Sequence, residues 1–484
     1  MKNNLPNVLL ISIDSLRADH LSSYGYARET APFLSELALD GVVYENAFAA
    51  SNWTGAAVAS ILTGLYPTSH GYGNSRYYLD GGDETLASIL AAHGYFTVAF
   101  SNNMYISSRT GMSAGFREFY YRGRREIQTE APSGKNKPPF DHLKGAVNMR
   151  LKHYLKNIID SFDKKRALQR DDGAFETEVA FGKWLGGREP QPFFAYIHYQ
   201  EPHSIYMPPY PYRRRFFSES WRAEADCLTF DHIGYYAGRT VLTETQVRRY
   251  AELYDGEICY LDWRLGRLFK LLKRAGLYDR TVIAVTADHG ELFGENGYFW
   301  HAFCLYDPLI RVPLIVRYPE WFGRNRRSLE MVQTTDILPT ILDGLQIEWR
   351  HQGQRQGESF LNGSKRSAAL VEVDNPERVI RRWLLRNKEL KESDYAHYFR
   401  DLTALRTMTD KLILSSDGRH EFYDLQTDPG ETANLYRADE VRIAQRRSEL
   451  ASWRGALRPH VVSETTHPEF DKATWEKMRA LGYA

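Results

Sequence analysis

Residues 53–71 read WTGAAVASILTGLYPTSHG, and the hydroxyl residue near the start of this stretch is its most informative feature. Thr54 follows Ser51-Asn52-Trp53 and precedes small and apolar residues, which predicts that it begins a helix. The first turn of a helix has free backbone N–H groups and favours an anion. A threonine hydroxyl is a poor nucleophile at neutral pH, but coordination to a divalent cation lowers its pKa. The stretch therefore places a candidate nucleophile at an anion site, and its activation requires a metal whose ligands lie elsewhere in the chain.

On both sides of this stretch, short apolar runs alternate with helical patterns. Residues 85–93 and 262–275 have helical apolar spacing. The predicted buried strands are residues 8–13, 97–100, 193–198, 281–286 and 312–316. Strands separated by helices predict an α/β fold with a large mixed, mostly parallel sheet that is sandwiched by helices.

Residues that commonly bind metals follow three of these strands. Asp14 follows the first strand directly, His198 and His203 lie at and just beyond the end of the third, and Asp288-His289 follow the fourth. Sites in parallel sheets form at the carboxyl ends of the strands, so we expect these side chains to converge. Two aspartates, a histidine and the Thr54 alkoxide suit Zn²⁺ or Mn²⁺ better than Ca²⁺.

Histidines form a second candidate group. His203 is five residues after His198, and His301 is twelve residues after His289. These imidazoles could bind a second cation, or they could contact the leaving group and a non-bridging oxygen. Two cations about 4 Å apart can hold both the attacking and the leaving oxygen of an in-line displacement. One or two divalent ions are therefore expected.

Each of these residues also has an ordinary structural explanation. A single histidine is usually a hydrogen-bonded polar residue, and Asp14 or Thr54 could simply cap a helix. These explanations do not account for so many such residues following strands at the same edge of one sheet. The functional interpretation of the whole set is therefore preferred.

Composition limits the class of protein. The chain has 484 residues, with 43% hydrophobic and 25% charged residues and a formal net charge of +1. This charge indicates neither a nucleic acid nor an anionic membrane as a partner. Three cysteines give no disulfide framework, and no apolar run approaches the roughly 20 residues of a membrane span. A cytoplasmic protein that acts on a small anionic ester is expected.

Two domains are predicted. The composition becomes polar near Gly363-Ser364-Lys365-Arg366, and a hairpin is predicted beyond it, with 405–415 as one arm, a turn at Ser416-Asp417-Gly418, and 421–424 as the other arm. We expect residues 1–363 to form the catalytic domain and residues 364–484 to form a smaller C-terminal α+β domain.

A basic segment is predicted to be inserted in the first domain, at about residues 117–172. Residues 143–170 contain eight Lys or Arg and two Asp, and their apolar residues recur at helical spacing. The ordinary interpretation is a solvated amphipathic helix packed on the surface. The alternatives are a lid over an anionic substrate, an arm that forms a homo-oligomer, or a membrane-surface contact.

These motifs resemble the sulfatase branch of the alkaline phosphatase superfamily along nearly the whole chain. Residues 7–20 (NVLLISIDSLRADH) resemble the family's opening strand with its metal aspartate, and residues 61–71 resemble its LLTGLYPHRHG segment. Residues 281–291 resemble TLVIFTSDHGE, and residues 421–435 (EFYDLQTDPGETANL) resemble its terminal-domain signature. The resemblance implies the sulfatase fold, a metal site and ester hydrolysis.

The chain departs from the sulfatase pattern at the nucleophile. Sulfatases convert the Cys or Ser of Cys/Ser-x-Pro-x-Arg to formylglycine, whereas residues 54–58 here are Thr-Gly-Ala-Ala-Val. No formylglycine is therefore expected. Ser15 stands where sulfatases usually carry a second metal aspartate, and Asp288 is followed by His289 rather than by Asn.

The replacements resemble superfamily members that use threonine: nucleotide pyrophosphatase/phosphodiesterases, lipoteichoic acid synthases and phosphoethanolamine transferases. This resemblance implies that Thr54 is the nucleophile and that zinc is bound by residues including the Asp-His pair. In the phosphodiesterases, an Asn about twenty residues after the Thr donates to the oxyanion. Asn74 is the corresponding candidate, with Asn102 as a competitor.

Three functions are compatible with the sequence. The preferred one is a metal-dependent hydrolase, or transferase, of phosphate monoesters, diesters or phosphonates that forms a covalent Thr54 intermediate. In this hypothesis Asp14, Asp288 and His289 hold the metal with Thr54, while His203 and His301 bind a second metal or stabilise the leaving oxygen. The second function is a sulfuric ester hydrolase without formylglycine, and the third is a degenerate, non-catalytic binding protein.

Overall fold

The computed structural model describes residues 5–80, 82–126, 171–228, 230–349, 356–386, 389–437 and 440–460. Within them the chain forms fifteen strands in three sheets. The strands are β1 (Asn7–Ile13), β2 (Val42–Phe48), β3 (Phe96–Ser101), β4 (Glu118–Tyr121), β5 (Arg124–Glu126), β6 (Phe193–Tyr199), β7 (Thr281–Ala287), β8 (Leu292–Phe293), β9 (Phe299–Trp300), β10 (Arg311–Arg317), β11 (Arg326–Gln333), β12 (Ala368–Val373), β13 (Leu402–Thr407), β14 (Asp410–Ser415) and β15 (Glu421–Asp424).

The main sheet has nine strands in the order β11-β2-β10-β7-β1-β6-β3-β4-β5. Strands β7, β1, β6, β3 and β4 are parallel to their neighbours in this run. Strand β10 is antiparallel to both β7 and β2, and β5 is antiparallel to β4. The predicted mixed, mostly parallel sheet is therefore confirmed, and all five predicted strands are present with ends that differ by one residue at most.

Helices accompany the main sheet and extend into the C-terminal part of the chain. They are α1 (Pro32–Leu39), α2 (Thr54–Thr63), α3 (Pro67–His70), α4 (Leu86–Ala92), α5 (Ala174–Gly187), α6 (Arg213–Phe216), α7 (Trp221–Leu228), α8 (His232–Tyr236), α9 (Glu244–Arg274), α10 (Asp307–Ile310), α11 (Pro319–Phe322), α12 (Ile337–Gly344), α13 (Glu377–Arg386) and α14 (Val441–Ala456). Helix α9 has 31 residues and begins well before residue 262, where sequence spacing predicts its start.

The residues that follow the central strands lie at the same edge of the main sheet. Every residue of β1, β6 and β7 is buried, as expected for parallel strands covered on both faces. In the register of the sheet, Ile13 pairs with Tyr199 and with Ala287. The next residues, Asp14 and Asp288, therefore emerge side by side at the carboxyl edge of the sheet.

Helix α2 is buried along its whole length, so its small residues have a packing role. A Cβ atom on Gly55 would lie 2.2 Å from Cε1 of Tyr72, too close for any larger residue without movement of the ring. The helix ends at Gly64, whose φ of 68° is the left-handed conformation that glycine adopts readily. This packing fixes the position of Thr54 at the first residue of the helix.

The C-terminal sheet is antiparallel in the order β12-β13-β14-β15. Strands β14 and β15 form the predicted hairpin. The prediction of one continuous arm at 405–415 is wrong, because the chain reverses between Thr407 and Asp410 and pairs β13 with β14. Residues 407–410 (Thr-Met-Thr-Asp) contain neither glycine nor proline, so the sequence pattern did not reveal the reversal. The smaller C-terminal sheet domain is otherwise as expected, and its boundary near residue 364 stays a prediction.

The predicted basic segment is described only at its two ends. Glu118–Tyr121 and Arg124–Glu126 form strands at the edge of the main sheet rather than part of a helix. The predicted basic helix at 143–170, with its possible role in a homo-oligomer, lies outside the described residues. None of the helices in the described part of the chain has the length and apolar character needed to cross a lipid bilayer.

Candidate active site

A buried cluster of metal-ligand type lies at the carboxyl edge of the main sheet. Asp14, His198 and Asp288 each offer one ligand atom, and these atoms all lie within 4.8 Å of one another. All three side chains are fully buried. The sequence assigned His198 to a second group of histidines, but the structure places it with the two aspartates, because Ser12 of β1 pairs with His198 of β6.

Thr54 lies beside this cluster. Its Oγ1 is 3.2 Å from Nε2 of His289. The same Nε2 is 3.8 Å from Oδ1 of Asp14 and 3.7 Å from Oδ2 of Asp288. The structure therefore brings together four residues that the sequence predicted as one group.

The hydrogen bonds of His289 define which ring nitrogen faces Thr54. Its Nδ1–H donates to the carbonyl oxygen of Gly290 at 2.8 Å. In a neutral ring, Nε2 then carries no proton and can accept a hydrogen bond or bind a cation. The hydroxyl of Thr54 is the group that faces this nitrogen.

The cluster fits a divalent cation. Oδ2 of Asp288 and Nε2 of His198 are buried and make no hydrogen bond with any residue that the structure describes. Buried polar atoms without partners are costly, and a cation would satisfy both. Two carboxylates with imidazoles are the donors that Zn²⁺ and Mn²⁺ prefer. An Asp-His-Asp cluster that could bind a metal is thus present, and the donors do not select between the two ions.

The ionisation of the two aspartates supports the same conclusion. Burial raises the pKa of Asp288 well above its usual range, and the charge of Asp14 raises it further. Burial also opposes ionisation of Asp14, but His203, His198 and His289 together hold its pKa well below its usual range. A cation between the two carboxylates would favour the ionised form of both.

Supporting hydrogen bonds hold two of the cluster residues in place. Nδ2 of Asn103 donates to Oδ2 of Asp14 at 2.8 Å. Nδ1 of His198 is 2.8 Å from Oγ of Ser12, which is 2.7 Å from the hydroxyl of Tyr196. Asn103 was not among the candidates predicted from the sequence. It follows β3 at the same sheet edge, so the position after a buried strand, which indicated Asp14, also indicates Asn103.

His203 and His301 lie next to His289. The ring centroids of His301 and His289 are 4.7 Å apart, and those of His301 and His203 are 4.9 Å apart. Nδ1 of His301 is 3.1 Å from Oε1 of Glu291, whose other oxygen accepts from the hydroxyl of Tyr206 at 2.8 Å. Burial lowers the pKa of His203 to about 4 and that of His301 to about 3, so both rings are neutral near pH 7.

The two asparagines proposed as oxyanion donors have different surroundings. Asn74 lines a cavity together with Trp53 and His301, although its Nδ2 also donates to the backbone carbonyl of Asp374 at 2.9 Å. Asn102 is buried against α5, where its Nδ2 donates to Oγ1 of Thr177 at 3.0 Å. Asn74 is therefore the better placed of the two.

Residues 6–347 match the family model described as Sulfatase, so the chain belongs to the sulfatase family. It is therefore an α/β ester hydrolase of the alkaline phosphatase superfamily. Residues 294–452 also match the model described as N-sulphoglucosamine sulphohydrolase, C-terminal.

An arylsulfatase of Clostridium perfringens is 24% identical over 90% of this chain and 91% of its own length. A multifunctional alkaline phosphatase superfamily protein, PehA of Trinickia caryophylli, is 28% identical over 70% of this chain and 73% of its own. Among solved structures, a phosphonate monoester hydrolase of Agrobacterium radiobacter superimposes with a TM-score of 0.67, at 23% identity, covering 93% of this chain and 95% of that one. These likenesses confirm the fold and leave the substrate class open.

Proposed function

We propose that the chain is a metal-dependent hydrolase of phosphate esters that forms a covalent intermediate on Thr54. The substrate is a monoester, a diester or a phosphonate ester. The observation that supports this most directly is the position of Oγ1 of Thr54, 3.2 Å from Nε2 of His289 and beside a buried Asp-His-Asp cluster. A buried hydroxyl in this position is expected to take part in the reaction or to bind a metal ion.

In this proposal the cation is held by Asp14, Asp288, His289 and Thr54. His198 is included as a further ligand because its ligand atom lies within 4.8 Å of those of the two aspartates. A divalent ion bound there would lower the pKa of the Thr54 hydroxyl and neutralise charge on the phosphoryl oxygens. Thr54 is the first residue of α2, so the free N–H groups of the first helical turn favour the anionic part of the substrate.

The two chemical steps follow from the position of Thr54. In the first step, Oγ1 attacks phosphorus, the Oγ1–P bond forms, and the ester P–O bond breaks with its electron pair leaving on the alcohol oxygen. The proton of the Thr54 hydroxyl ends on that departing alcohol. In the second step, water attacks phosphorus, the Oγ1–P bond breaks, and a proton from water returns to Oγ1. An acceptor alcohol in place of water would make the reaction a transfer.

His203, His301 and Asn74 have supporting roles in the proposal. The two neutral imidazoles bind a second cation or stabilise the leaving oxygen, because their rings lie within 5 Å of each other and one lies beside His289. Asn74 lines the adjoining cavity and is the candidate donor to the oxyanion. Electrostatic stabilisation of this kind typically contributes a factor of about 10²–10³ per donor.

Phosphorus is favoured over sulfur by the chemistry of residue 54. A formylglycine hydrate can release its sulfate by elimination, whereas a sulfated threonine has no second hydroxyl on the same carbon. The intermediate must then be cleaved by direct attack of water on the central atom, so Thr54 lacks the route by which formylglycine releases sulfate. The relative PehA, described as a multifunctional alkaline phosphatase superfamily protein, agrees with a substrate range beyond sulfates.

The test is a panel of esters with one shared leaving group: 4-nitrophenyl sulfate, phosphate, a phosphodiester and a phosphonate. We expect higher kcat/KM on at least one phosphorus ester than on the sulfate. Acid quenching during turnover, followed by peptide mass spectrometry, should find a phosphoryl group on Thr54. A clear preference for the sulfate, or a modification at another residue, would contradict the proposal.

Sulfuric ester hydrolysis is the second candidate. The match of residues 6–347 to the Sulfatase family favours it, as does the arylsulfatase of Clostridium perfringens. It would require the same Thr54 hydroxyl to attack sulfur. The ester panel distinguishes the two functions directly because its members differ only in the central atom and its substituents.

A further inference from the structure

A cavity of about 100 Å³ adjoins the candidate active site. Trp53, which immediately precedes Thr54, and His301 both line it. A group that occupied this cavity would therefore lie next to the reacting centre. Six of the other fourteen residues that line it are aromatic and five are aliphatic. The aromatic residues are Tyr105, Tyr236, Trp300, Phe303, Trp383 and Tyr398.

These rings form two packed groups. Trp53 and Tyr105 make an edge-to-face contact with centroids 4.9 Å apart. Phe303 stacks on Tyr398 at 4.4 Å and meets Tyr236 edge-to-face at 4.9 Å. Because each ring is held by another ring, the walls of the cavity are rigid, which lowers the entropic cost of binding a flat apolar group.

The backbone around His301 is adapted to this cavity. Trp300 has a φ of 65° and Phe303 has a φ of 67°, in the left-handed region that bulky residues rarely adopt. Such backbone strain persists where the surrounding structure enforces it and often marks a functional site. Here it lets Trp300, His301 and Phe303 line one cavity within four consecutive residues.

The charge of the cavity limits what it can bind. Among the residues that line it, all of them described, Arg400 is the one permanent charge, and no carboxylate is present. The Arg400 side chain is 7% exposed, and its Nη2 lies 3.9 Å from Oε1 of Glu421 and donates to the hydroxyl of Tyr298 at 3.4 Å, while its Nε makes no hydrogen bond with any described residue. A guanidinium in the wall, with no carboxylate among the lining residues, disfavours a cationic ligand, even though aromatic rings could otherwise surround a quaternary ammonium.

The cavity offers few polar groups to a sugar. The side-chain amide nitrogens of Asn52 and Asn74 each donate one N–H to a backbone carbonyl oxygen, of Cys304 at 2.9 Å and of Asp374 at 2.9 Å, which leaves one N–H on each amide. A sugar brings several hydroxyl groups that would need partners after leaving water, and buried hydroxyls without partners lower affinity. An apolar ring has no hydrogen bonds to lose when it leaves water.

We propose that this cavity binds an aryl group of the substrate, so that the enzyme acts on aromatic esters. The proposal rests on the proposed function only for the identity of the adjacent reacting centre. A dry apolar cavity on the order of 150 Å³ accommodates a benzene molecule, and the cavity of about 100 Å³ here, which adjoins the site, would enclose most of one aromatic ring. Burial of such a ring raises affinity by about tenfold or more.

The first test measures binding without turnover. Phenylphosphonate, methylphosphonate and phosphocholine are titrated into the metal-loaded protein by isothermal calorimetry. We expect phenylphosphonate to bind at least about tenfold more tightly than methylphosphonate, from the burial of one ring. Equal affinities, or tighter binding of phosphocholine, would overturn the proposal.

The second test removes one wall of the cavity. Trp383→Leu should lower the preference for phenylphosphonate over methylphosphonate severalfold, while binding of methylphosphonate stays the same. The matched control is Trp321→Leu, which removes an indole that packs on the main core outside the cavity. If Trp383→Leu does not fold, Tyr398→Leu is used instead. An unchanged preference in a folded cavity variant would contradict the proposal.

Turnover separates this inference from the proposed function. Preferential hydrolysis of aryl sulfates, with a preference that depends on Trp383, would overturn the proposed function and retain the aryl cavity. The opposite outcome combines two results. The enzyme hydrolyses 4-nitrophenyl methylphosphonate and 4-nitrophenyl phenylphosphonate with the same kcat/KM, and it binds methylphosphonate and phenylphosphonate equally. These results would retain the proposed function and overturn the aryl cavity.

Discussion

Oγ1 of Thr54 lies 3.2 Å from Nε2 of His289, although 235 residues separate them in the chain. Thr54 is held by the buried helix α2, and His289 is held by the loop after β7. A Cβ atom on Gly290 would lie 2.0 Å from the carbonyl oxygen of Pro308, so this loop requires glycine there. The contact between the two side chains therefore depends on the close packing of both elements.

The first prediction concerns the nucleophile. Thr54→Ala should lower kcat by at least about 10³-fold, because removal of a covalent nucleophile usually eliminates most of the rate enhancement. Thr54→Ser keeps a hydroxyl and should retain measurable turnover. The thermal midpoint and the bound metal, measured by atomic emission, should change little in Thr54→Ala. Full activity in a folded Thr54→Ala protein would exclude the covalent mechanism.

The second prediction concerns the metal. Dialysis against a chelator should abolish activity and lower the thermal midpoint, and Zn²⁺ or Mn²⁺ should restore both, because a ligand that binds only the folded state stabilises it. Asp288→Asn should bind less than one equivalent of either ion after gel filtration.

A matched control for the metal prediction is His20→Gln. His20 pairs with Asp255 at 2.8 Å in another largely buried His-Asp contact that is not part of the cluster. Loss of metal in His20→Gln to the same degree as in Asp288→Asn would show that the effect is general destabilisation. Stoichiometric metal in Asp288→Asn would contradict the assignment of Asp288.

The third prediction concerns Asn103 as a positioning residue. Its amide donates to Asp14 at 2.8 Å, and its Oδ1 accepts from the backbone N–H of Tyr105 at 2.9 Å. Loss of a hydrogen bond to a metal ligand typically lowers metal affinity by about 10–100-fold. Asn103→Ala should therefore show a weaker metal affinity in a competition titration, and saturating metal should restore much of its activity. Unchanged metal affinity would indicate that Asn103 has only a structural role.

Much of the fold and of the central site was predictable from the sequence, for physical reasons that particular residues illustrate. Buried parallel strands are continuous apolar runs, so β1 and β7 were visible, and each is followed directly by an aspartate. The end of each run marks the carboxyl edge of the sheet. That rule predicted that Asp14 and Asp288 would meet.

Other features depended on packing between distant segments. His198 was assigned to a second histidine group, because its spacing from His203 does not reveal that it pairs in register with Ser12. The aromatic cavity is lined by Tyr236, Phe303 and Tyr398, which come from separate parts of the chain. No local sequence pattern identifies these residues as neighbours. The reversal between β13 and β14 lacked a glycine or proline signal.

The fourth prediction concerns a buried ion pair between a residue that follows β11 and a residue that precedes β12. The Arg366 guanidinium donates to both carboxylate oxygens of Asp336, with side-chain exposures of 1% and 0%. Arg366→Met leaves that buried carboxylate without a cationic partner, although the backbone N–H groups of Gln333 and Glu358 still donate to it, and should lower the free energy of unfolding by about 3–5 kcal/mol. Arg327→Met, which removes the half-exposed partner of Glu45, should cost no more than about 1 kcal/mol. Equal losses in urea denaturation would contradict this difference.

The fifth prediction concerns His70, which must be neutral in the folded protein. The backbone N–H of Tyr72 donates to its Nδ1 at 3.1 Å, so its Nε2–H donates to Oγ of Ser60 at 3.0 Å. A proton on Nδ1 would face the N–H of Tyr72. Burial, with the nearby charge of His460, lowers the pKa of His70 to about 3.

The sign of the pH effect follows from this lowered pKa. In the unfolded chain the histidine binds a proton below pH 6.5 or so, whereas the folded protein does not bind it until about pH 3. The unfolded state therefore binds more protons throughout this window, and stability falls as the pH falls, by up to about 1.4 kcal/mol per pH unit for this residue. Above pH 7 the effect is absent.

His70→Asn isolates this contribution, because the Asn side chain can accept from Tyr72 N–H and has no proton to gain in this range. Its stability relative to the original protein should be lowest at pH 7.5 and should improve steadily towards pH 5. Urea denaturation of both proteins at pH 7.5, 6 and 5 measures the difference, and the other buried histidines contribute equally to both. Parallel pH profiles would mean that His70 accepts a proton in the folded state without cost.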